Sequence, residues 1–291
     1  MNLRASSIGD LAARRLSKGG AGEVTRVFQR STYVRAGVDF ILLLWGGLRS
    51  PMTINVEESY QTGWRTRVGE RCILSRGSVT LDAGRIDVRG AEVFSSALLY
   101  SRRVTLPKGP ALAKGVAMLR SLYDVSPSGP TLVADPVLKS FVRDTLLPLS
   151  FGRPGAAYQT GRYLRLIGRG SGFTPSGDDF VGGFLATFNY VARCQRKRQV
   201  LIPRTLLRGR TVPESAMILS HSARGRVDES MERLVLATTR GAGFYDELVT
   251  VARRGHTSGI DMSLGVLLCE AALSQESGER GALQRCLDEL W

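Results

Sequence analysis

Two segments of this 291-residue chain repeat one frame, and that repeat constrains the fold more than any other feature. Ser176-Gly177-Asp178-Asp179-Phe180-Val181-Gly182-Gly183-Phe184-Leu185 lies against Ser258-Gly259-Ile260-Asp261-Met262-Ser263-Leu264-Gly265-Val266-Leu267. The shared pattern is S-G-x-D-x-x-x-G-Φ-L, where Φ is apolar. In both copies apolar residues then recur every three or four positions, the spacing of a buried helix face. A hydroxyl three residues before a carboxylate is the pattern of a capping box, so Ser176 with Asp179 and Ser258 with Asp261 are expected to cap two helices. Gly183 and Gly265 each follow the Asp by four residues, on the same helix face, where a missing side chain lets another backbone come near.

The segments before the repeats differ. Gly168-Arg169-Gly170-Ser171-Gly172-Phe173-Thr174-Pro175 is a glycine-rich turn whose backbone can approach a ligand closely. Gly255-His256-Thr257 precedes the second copy and brings one of only two histidines in the chain. Two helix N-termini facing one pocket would offer unpaired N–H groups and positive dipole ends to a phosphate or carboxylate. On that reading Gly170, Gly172, Thr174, Ser176, Gly177, Thr257, Ser258 and Gly259 contact the substrate. Asp178 has no counterpart in the second copy. It is expected to be spare for a proton or a metal, with His256 as the other acid–base group. Asp178, Asp179 and Asp261 are candidate Mg²⁺ ligands alongside a substrate phosphate. The plainer reading is that both copies are well-capped helices with small residues for close packing.

The rest of the chain divides by periodicity. Val24–Phe28, Val38–Trp45, Met52–Val56, Cys72–Leu74, Ser78–Leu81 and Arg85–Val88 read as short strands separated by Gly and Pro turns. Val38–Trp45 is nearly continuous in apolar residues, as in a strand buried on both faces, whereas Met52–Val56 alternates like a half-buried one. After Pro107-Lys108-Gly109-Pro110 the spacing becomes helical through Leu112, Val116 and Leu119, and a Ser126-Pro127-Ser128-Gly129-Pro130 loop follows. Asp135-Pro136 reads as an N-cap with Pro at the first helical position, opening a helix through about Leu146. The fold class is therefore α+β, with a β-rich N-terminal lobe over 1–106 and a mainly α-helical lobe over 107–291.

Charge and cysteine content narrow the function classes. The net charge is +14, and only five of the 40 basic residues are Lys, at 18, 108, 114, 139 and 197. The arginines are scattered, and no RNP-type aromatic motif, zinc finger or heptad-bearing basic helix accompanies them, which argues against nucleic acid while leaving it as an alternative. Cys72, Cys194, Cys269 and Cys286 show no CxxC pairing and read as small, reduced, mostly buried side chains of a cytoplasmic protein. No apolar run approaches the roughly 18–20 residues that cross a bilayer, so no membrane partner is expected. The Arg- and Ser-rich start suits a transit peptide, but Ile8, Leu11 and Leu16 followed by Gly19 and Gly20 more simply describe a short surface helix.

The two loops resemble a known family. G-x-G-x-T-P-S-G-D-D opening a helix, here Gly170 to Asp179, and G-H-T-S-G-x-D, here Gly255 to Asp261, resemble the AllH-like family, a subunit type of oxamate carbamoyltransferase in bacterial allantoin breakdown. The resemblance extends over most of the chain. It implies carbamoyl transfer between carbamoyl phosphate and oxamate, giving oxalurate and phosphate, in a complex with other subunits, one similar to acyl-CoA synthetases. It leaves open which subunit holds the chemistry. The readings are an enzyme subunit binding a small carboxylate or carbamoyl phosphate-like anion, a non-catalytic scaffold subunit, and a nucleic-acid-associated basic protein.

Overall fold

The computed structural model describes the chain except residues 1, 58–63, 100, 102, 126–131, 151–152, 154, 156, 242 and 277–280. The expected 126–130 loop lies outside the described residues. The chain forms two compact units, Met1–Ala97 with Val227–Glu229, and Leu98–Arg226 with Ser230–Trp291. The first carries a β-barrel and the second is helical, so the class is α+β.

The barrel takes in strands β1 (Asn2–Gly9), β2 (Gly20–Phe28), β3 (Ser31–Ala36), β4 (Asp39–Leu44), β5 (Thr53–Val56), β6 (Arg71–Ser75), β7 (Ser78–Leu81) and β8 (Gly84–Asp87). Their order is β5-β4-β3-β2-β6-β7-β8-β1, and β1 pairs β5 as well, which closes the sheet. β1 runs antiparallel to β5, with Ile8 opposite Ile54, and parallel to β8, with Leu3 opposite Ile86. A ninth strand, β9 (Glu92–Phe94), continues along the same edge of β1. Closure leaves the eight strands without a free edge, which removes a template for unwanted pairing. Leu3, Ala5, Val24, Val34, Ile41, Leu43, Ile54, Leu74, Val79 and Ile86 are buried, in the period-2 alternation of such strands.

Several local expectations change here. Residues 2–9 are a strand, and the helix α1 covers only Asp10–Ser17, burying Ala12 and Leu16. Ile8 therefore belongs to the barrel and not to a surface helix. Val38 sits exposed in the Gly37-Val38 turn between β3 and β4, where Gly37 has φ +70°. In β4, Leu42 and Leu44 are only half-buried, so that strand is not buried on both faces, while β5 is buried at all four positions. Arg49 holds the returning segment, pairing Glu229 through two N–H···O contacts of 2.9 and 2.8 Å and Glu92 at 2.7 Å.

The helical unit is organised around α6 (Ser176–Cys194) and α11 (Ser258–Glu276). Every residue from Ser176 to Ala192 is buried, not one face alone. A helix apolar all round belongs to a core or a membrane, and among the described residues no helix is long and apolar enough to cross one. α2 (Gly109–Asp124), α10 (Tyr245–Ala252) and α12 (Ala282–Leu290) pack on α11, and α8 (Pro213–Ser222) packs on α6. Leu112, Val116 and Leu119 bury as their spacing implied. Asp135 caps α3 (Pro136–Phe141), its carboxylate accepting the Val137 N–H at 2.8 Å. Beyond α3 the chain widens into a π-helical turn over Val142–Leu146 before α4 (Leu147–Ser150), where the sequence suggested continuous α-helix. Phe141, Tyr163, Phe180 and Phe184 form an aromatic cluster with ring centroids 5.5–6.5 Å apart.

The α6–α11 contact is reciprocal. A Cβ added at Gly183 would overlap the backbone carbonyl of Met262, and one added at Gly265 would overlap that of Phe180. Met262 and Phe180 occupy equivalent places in the repeated frame, so each helix offers its glycine to the same point of the other. Gly183→Ala and Gly265→Ala are each expected to destabilise the protein by about 1–3 kcal/mol or more in urea unfolding, because backbone must move. Gly182→Ala is the control: its added Cβ would meet nothing nearer than Ser222 Oγ at 3.7 Å. Alanine there is expected to be neutral or stabilising by up to about 1 kcal/mol through helix propensity. Equal effects at 182 and 183 would show that the Met262 contact does not set the cost.

Candidate functional site

The starts of α6 and α11 meet, and their side chains cross. Thr174 Oγ1 lies 2.9 Å from Ser258 Oγ, which joins the two loops directly. Thr174 also donates to Asp179 Oδ2 at 2.9 Å, and the Ser258 hydroxyl favours the same carboxylate. Symmetrically, the hydroxyls of Ser176 and Thr257 favour the carboxylate of Asp261. The Ser of each frame thus serves the Asp of the other.

The expected capping boxes are absent for that reason. Ser176 is the first helical residue, and Pro175 (φ −60°, ψ 138°) occupies the cap position without a side-chain bond. Ser258 likewise lies inside α11, where the Asp261 N–H already bonds Thr257 O at 2.8 Å. The loops supply other caps: Gly177 N–H bonds Arg169 O at 2.9 Å and Gly259 N–H bonds Arg254 O at 3.1 Å. One of the leading donors of each helix is therefore engaged by its own loop.

Asp178 is not spare. Its buried carboxylate accepts from Gly168 N–H at 2.7 Å, from Ser215 Oγ at 2.6 Å and from the Thr211 hydroxyl, tying the glycine-rich loop to the start of α8. Burial raises its pKa, and these donors oppose the shift. Burial also lifts Asp179 well above the carboxylate range, against the Ser258 and Thr174 hydroxyls, and the charges of Asp261 and Asp178 push the same way. Asp261 is fully buried and raised to about 6, burial again outweighing its hydroxyl neighbours. Its Oδ1 accepts from Tyr123 Oη on α2, while Oδ2 is buried with no partner in bonding geometry. Asp179 and Asp261 thus form a buried acid pair in which the charge of Asp261 opposes ionisation of Asp179.

The outer layer is different. Gly170, Ser171, Gly172, Gly255 and His256 are exposed, and Thr174, Thr257 and Ser258 are half-buried. Gly170 holds φ +92° with Ser176 against it, a conformation that a side chain would resist. Ser176, Gly177, Gly259, Asp178, Asp179 and Asp261 lie beneath. The fold therefore brings Thr174, Ser176, Asp179, Thr257, Ser258 and Asp261 together, and gives Asp178 a separate set of partners. Among the described residues no group of three or more His, Cys, Asp and Glu side chains is set to hold a metal. Tyr123, Thr211 and Ser215 carry no motif and are reached only through the packing of α2 and α8.

These features define a helical domain built on two interlocked S-G-x-D helices with a buried acid pair between their starts. Residues 166–270 match the family described as oxamate carbamoyltransferase subunit AllH, so the resemblance seen in the two loops holds over that span. The barrel lies outside it. No curated protein and no solved structure matches the chain.

Two outcomes follow for the carboxylates. Asp178→Asn is expected to destabilise the protein by about 1–3 kcal/mol, since an amide cannot accept all three donors. For Asp261, a folded-state pKa above the unfolded value of 3.8 means that its contribution is full below pH 3.8 and lost as pH rises through about 6. The melting temperature of Asp261→Asn relative to wild type should therefore rise between pH 4 and pH 7. A constant difference across that window would mean that the acid does not titrate there.

Proposed function

We propose that this chain is a subunit of a carbamoyltransferase-type enzyme, related to the oxamate carbamoyltransferase subunit, that binds a small carboxylate or carbamoyl phosphate-like anion at the rim of the paired loops. The observation that carries this reading is the Thr174–Ser258 contact, which brings the N-terminal ends of two 19-residue helices to one place. Both dipoles then direct positive potential at the rim. The exposed backbone of Gly170 and Gly172 and the hydroxyls of Thr174, Thr257 and Ser258 supply neutral donors to carboxylate or carbamoyl oxygens. Burial opposes the charged form of Asp179, which lessens the repulsion between the acid pair beneath the rim and an anion.

In this proposal His256, exposed in the turn before α11, takes the proton that the attacking amide nitrogen loses and can return it to the leaving oxygen. Asp178 positions the glycine-rich loop and does not touch substrate. Mg²⁺, if required, would arrive with a phosphorylated substrate and not in a preformed protein cage. The other subunits of the complex complete the site. A scaffold role is the second reading, favoured by the engagement of Gly177 and Gly259 N–H groups by the loops themselves.

Calorimetric titration of the purified chain with oxamate, with and without Mg²⁺, tests the proposal. Binding is expected in the millimolar range or tighter. His256→Ala should weaken it roughly tenfold, the equivalent of one lost hydrogen bond of about 1.4 kcal/mol, without changing the melting temperature. No heat with wild type in either condition would favour the scaffold.

A further inference from the structure

A cleft in the helical unit, apart from the paired loops, is lined by arginine. It has a volume of about 560 Å³ and is open to solvent, with Arg143, Asp144, Gln159, Arg162 and Arg165 in its walls. One wall is the π-helical turn Val142–Leu146, which carries Arg143 and Asp144. The other is α5 (Thr160–Leu164) and the residue after it, which carry Arg162 and Arg165.

The charge in this cleft is unbalanced. Arg143 Nε bonds Asp144 Oδ1 at 2.8 Å, and Arg165 Nη1 lies 3.6 Å from Asp144 Oδ2. Arg162 makes no ion pair with that carboxylate: it donates through Nε to Gln159 Oε1 at 2.8 Å and through Nη1 to the Asp144 backbone carbonyl. Three guanidinium groups therefore surround one carboxylate. Asp144 is held below the usual carboxylate range, by the Arg143 hydrogen bond first, and is ionised at neutral pH. Two positive charges remain uncompensated at the cleft. Arg162, fixed by two neutral acceptors, keeps its remaining N–H groups for another partner.

Guanidinium forks match the oxygens of a phosphoryl group, and a dianion would balance the excess. Inorganic phosphate alone would leave most of a 560 Å³ cleft empty, whereas ligand sites typically range over roughly 300–1,000 Å³. π-Helical turns arise mostly as single turns and often at functional sites, where they re-aim side chains that a regular helix would direct elsewhere. Here the turn carries Arg143 and Asp144. We propose that this cleft is a binding site for a small phosphate monoester, its phosphoryl group held by Arg143, Arg162 and Arg165. Arg165 stands three residues before Gly168, so occupancy would bear on the glycine-rich loop through a short stretch of chain.

The test is calorimetric titration of the full chain with inorganic phosphate and with glycerol 3-phosphate, at fixed ionic strength. Wild type should bind both, the ester more tightly. Arg143→Ala and Arg165→Ala remove exposed side chains, should leave folding intact by circular dichroism, and should each weaken the ester roughly tenfold or more. Asp144→Asn removes the opposing charge and should tighten binding several-fold, a gain that loss of structure would not produce. Arg208→Ala, an exposed arginine elsewhere, controls for the general charge of the chain. Absence of ester binding by wild type overturns the proposal, as do losses at 143 and 165 no larger than at 208. Weakening by His256→Ala without weakening by Arg143→Ala would overturn it too, placing the phosphate at the paired loops. Loss of ester binding in Arg143→Ala with oxamate binding retained would support the cleft independently of the rim.

Discussion

The helical unit depends on two backbones touching. Gly183 and Gly265 let α6 and α11 approach until each glycine faces the other helix's carbonyl, at Met262 and Phe180. Both residues stand at equivalent points of one repeated frame, so the contact places the helices about an approximate two-fold relation. Everything at the helix starts follows from that geometry. With the helices in register at the glycines, seven and four residues upstream the Ser of one frame comes beside the Asp of the other. A side chain at either glycine would part the helices and separate the crossed pairs together, linking packing to site geometry at one contact.

The crossing changes what the serine and aspartate do. In an isolated helix, Ser176 and Asp179 would bond back to their own backbone as a capping box. Here the loops meet the helix N–H groups from Arg169 and Arg254, which releases the side chains to bridge between helices. Burial then decides the charge state. An acid pair under low dielectric cannot hold two charges cheaply, and the hydroxyls of Thr174, Ser258, Ser176, Thr257 and Tyr123 serve either state because each can rotate its proton. The result is a polar layer inside an otherwise apolar helix pair, with a solvated rim of glycine, threonine and histidine above it.

Much of this was legible in the sequence, and the failures have physical causes. The repeat, the glycines on one helix face and the α+β division all come from short-range periodicity. The meeting of the two loops followed from the repeated frame. The capping boxes did not survive because capping is a local rule, and partners in the other frame, Asp261 for Ser176 and Ser258 for Asp179, competed for the same side chains. Asp178 looks spare in the repeat because it lacks a counterpart, but its partners Gly168, Thr211 and Ser215 come from two other segments that nothing in the spacing marks. β1 was missed because its partners, β5 and β8, lie some fifty and eighty residues downstream. β3 was missed because its buried positions are Thr32, Val34 and Ala36, of which only Val34 is a sizeable apolar residue.

The buried acids also bear on where the net charge is displayed. The formal +14 counts every Asp and Glu as ionised. Glu270, fully buried on α11 with neither oxygen in a hydrogen bond of good geometry, is raised well above its ordinary pKa by burial. Asp179 is raised in the same way. Burial therefore opposes the negative charge of both. Both acids lie in the core of the helical unit, whereas most of the arginines are on its surface, so the positive excess is a surface property. Such a surface attracts anions without selecting among them. Selection requires places where cations are fixed by neutral acceptors, as Arg162 is by Gln159, or where dipoles converge without a cation, as at the starts of α6 and α11.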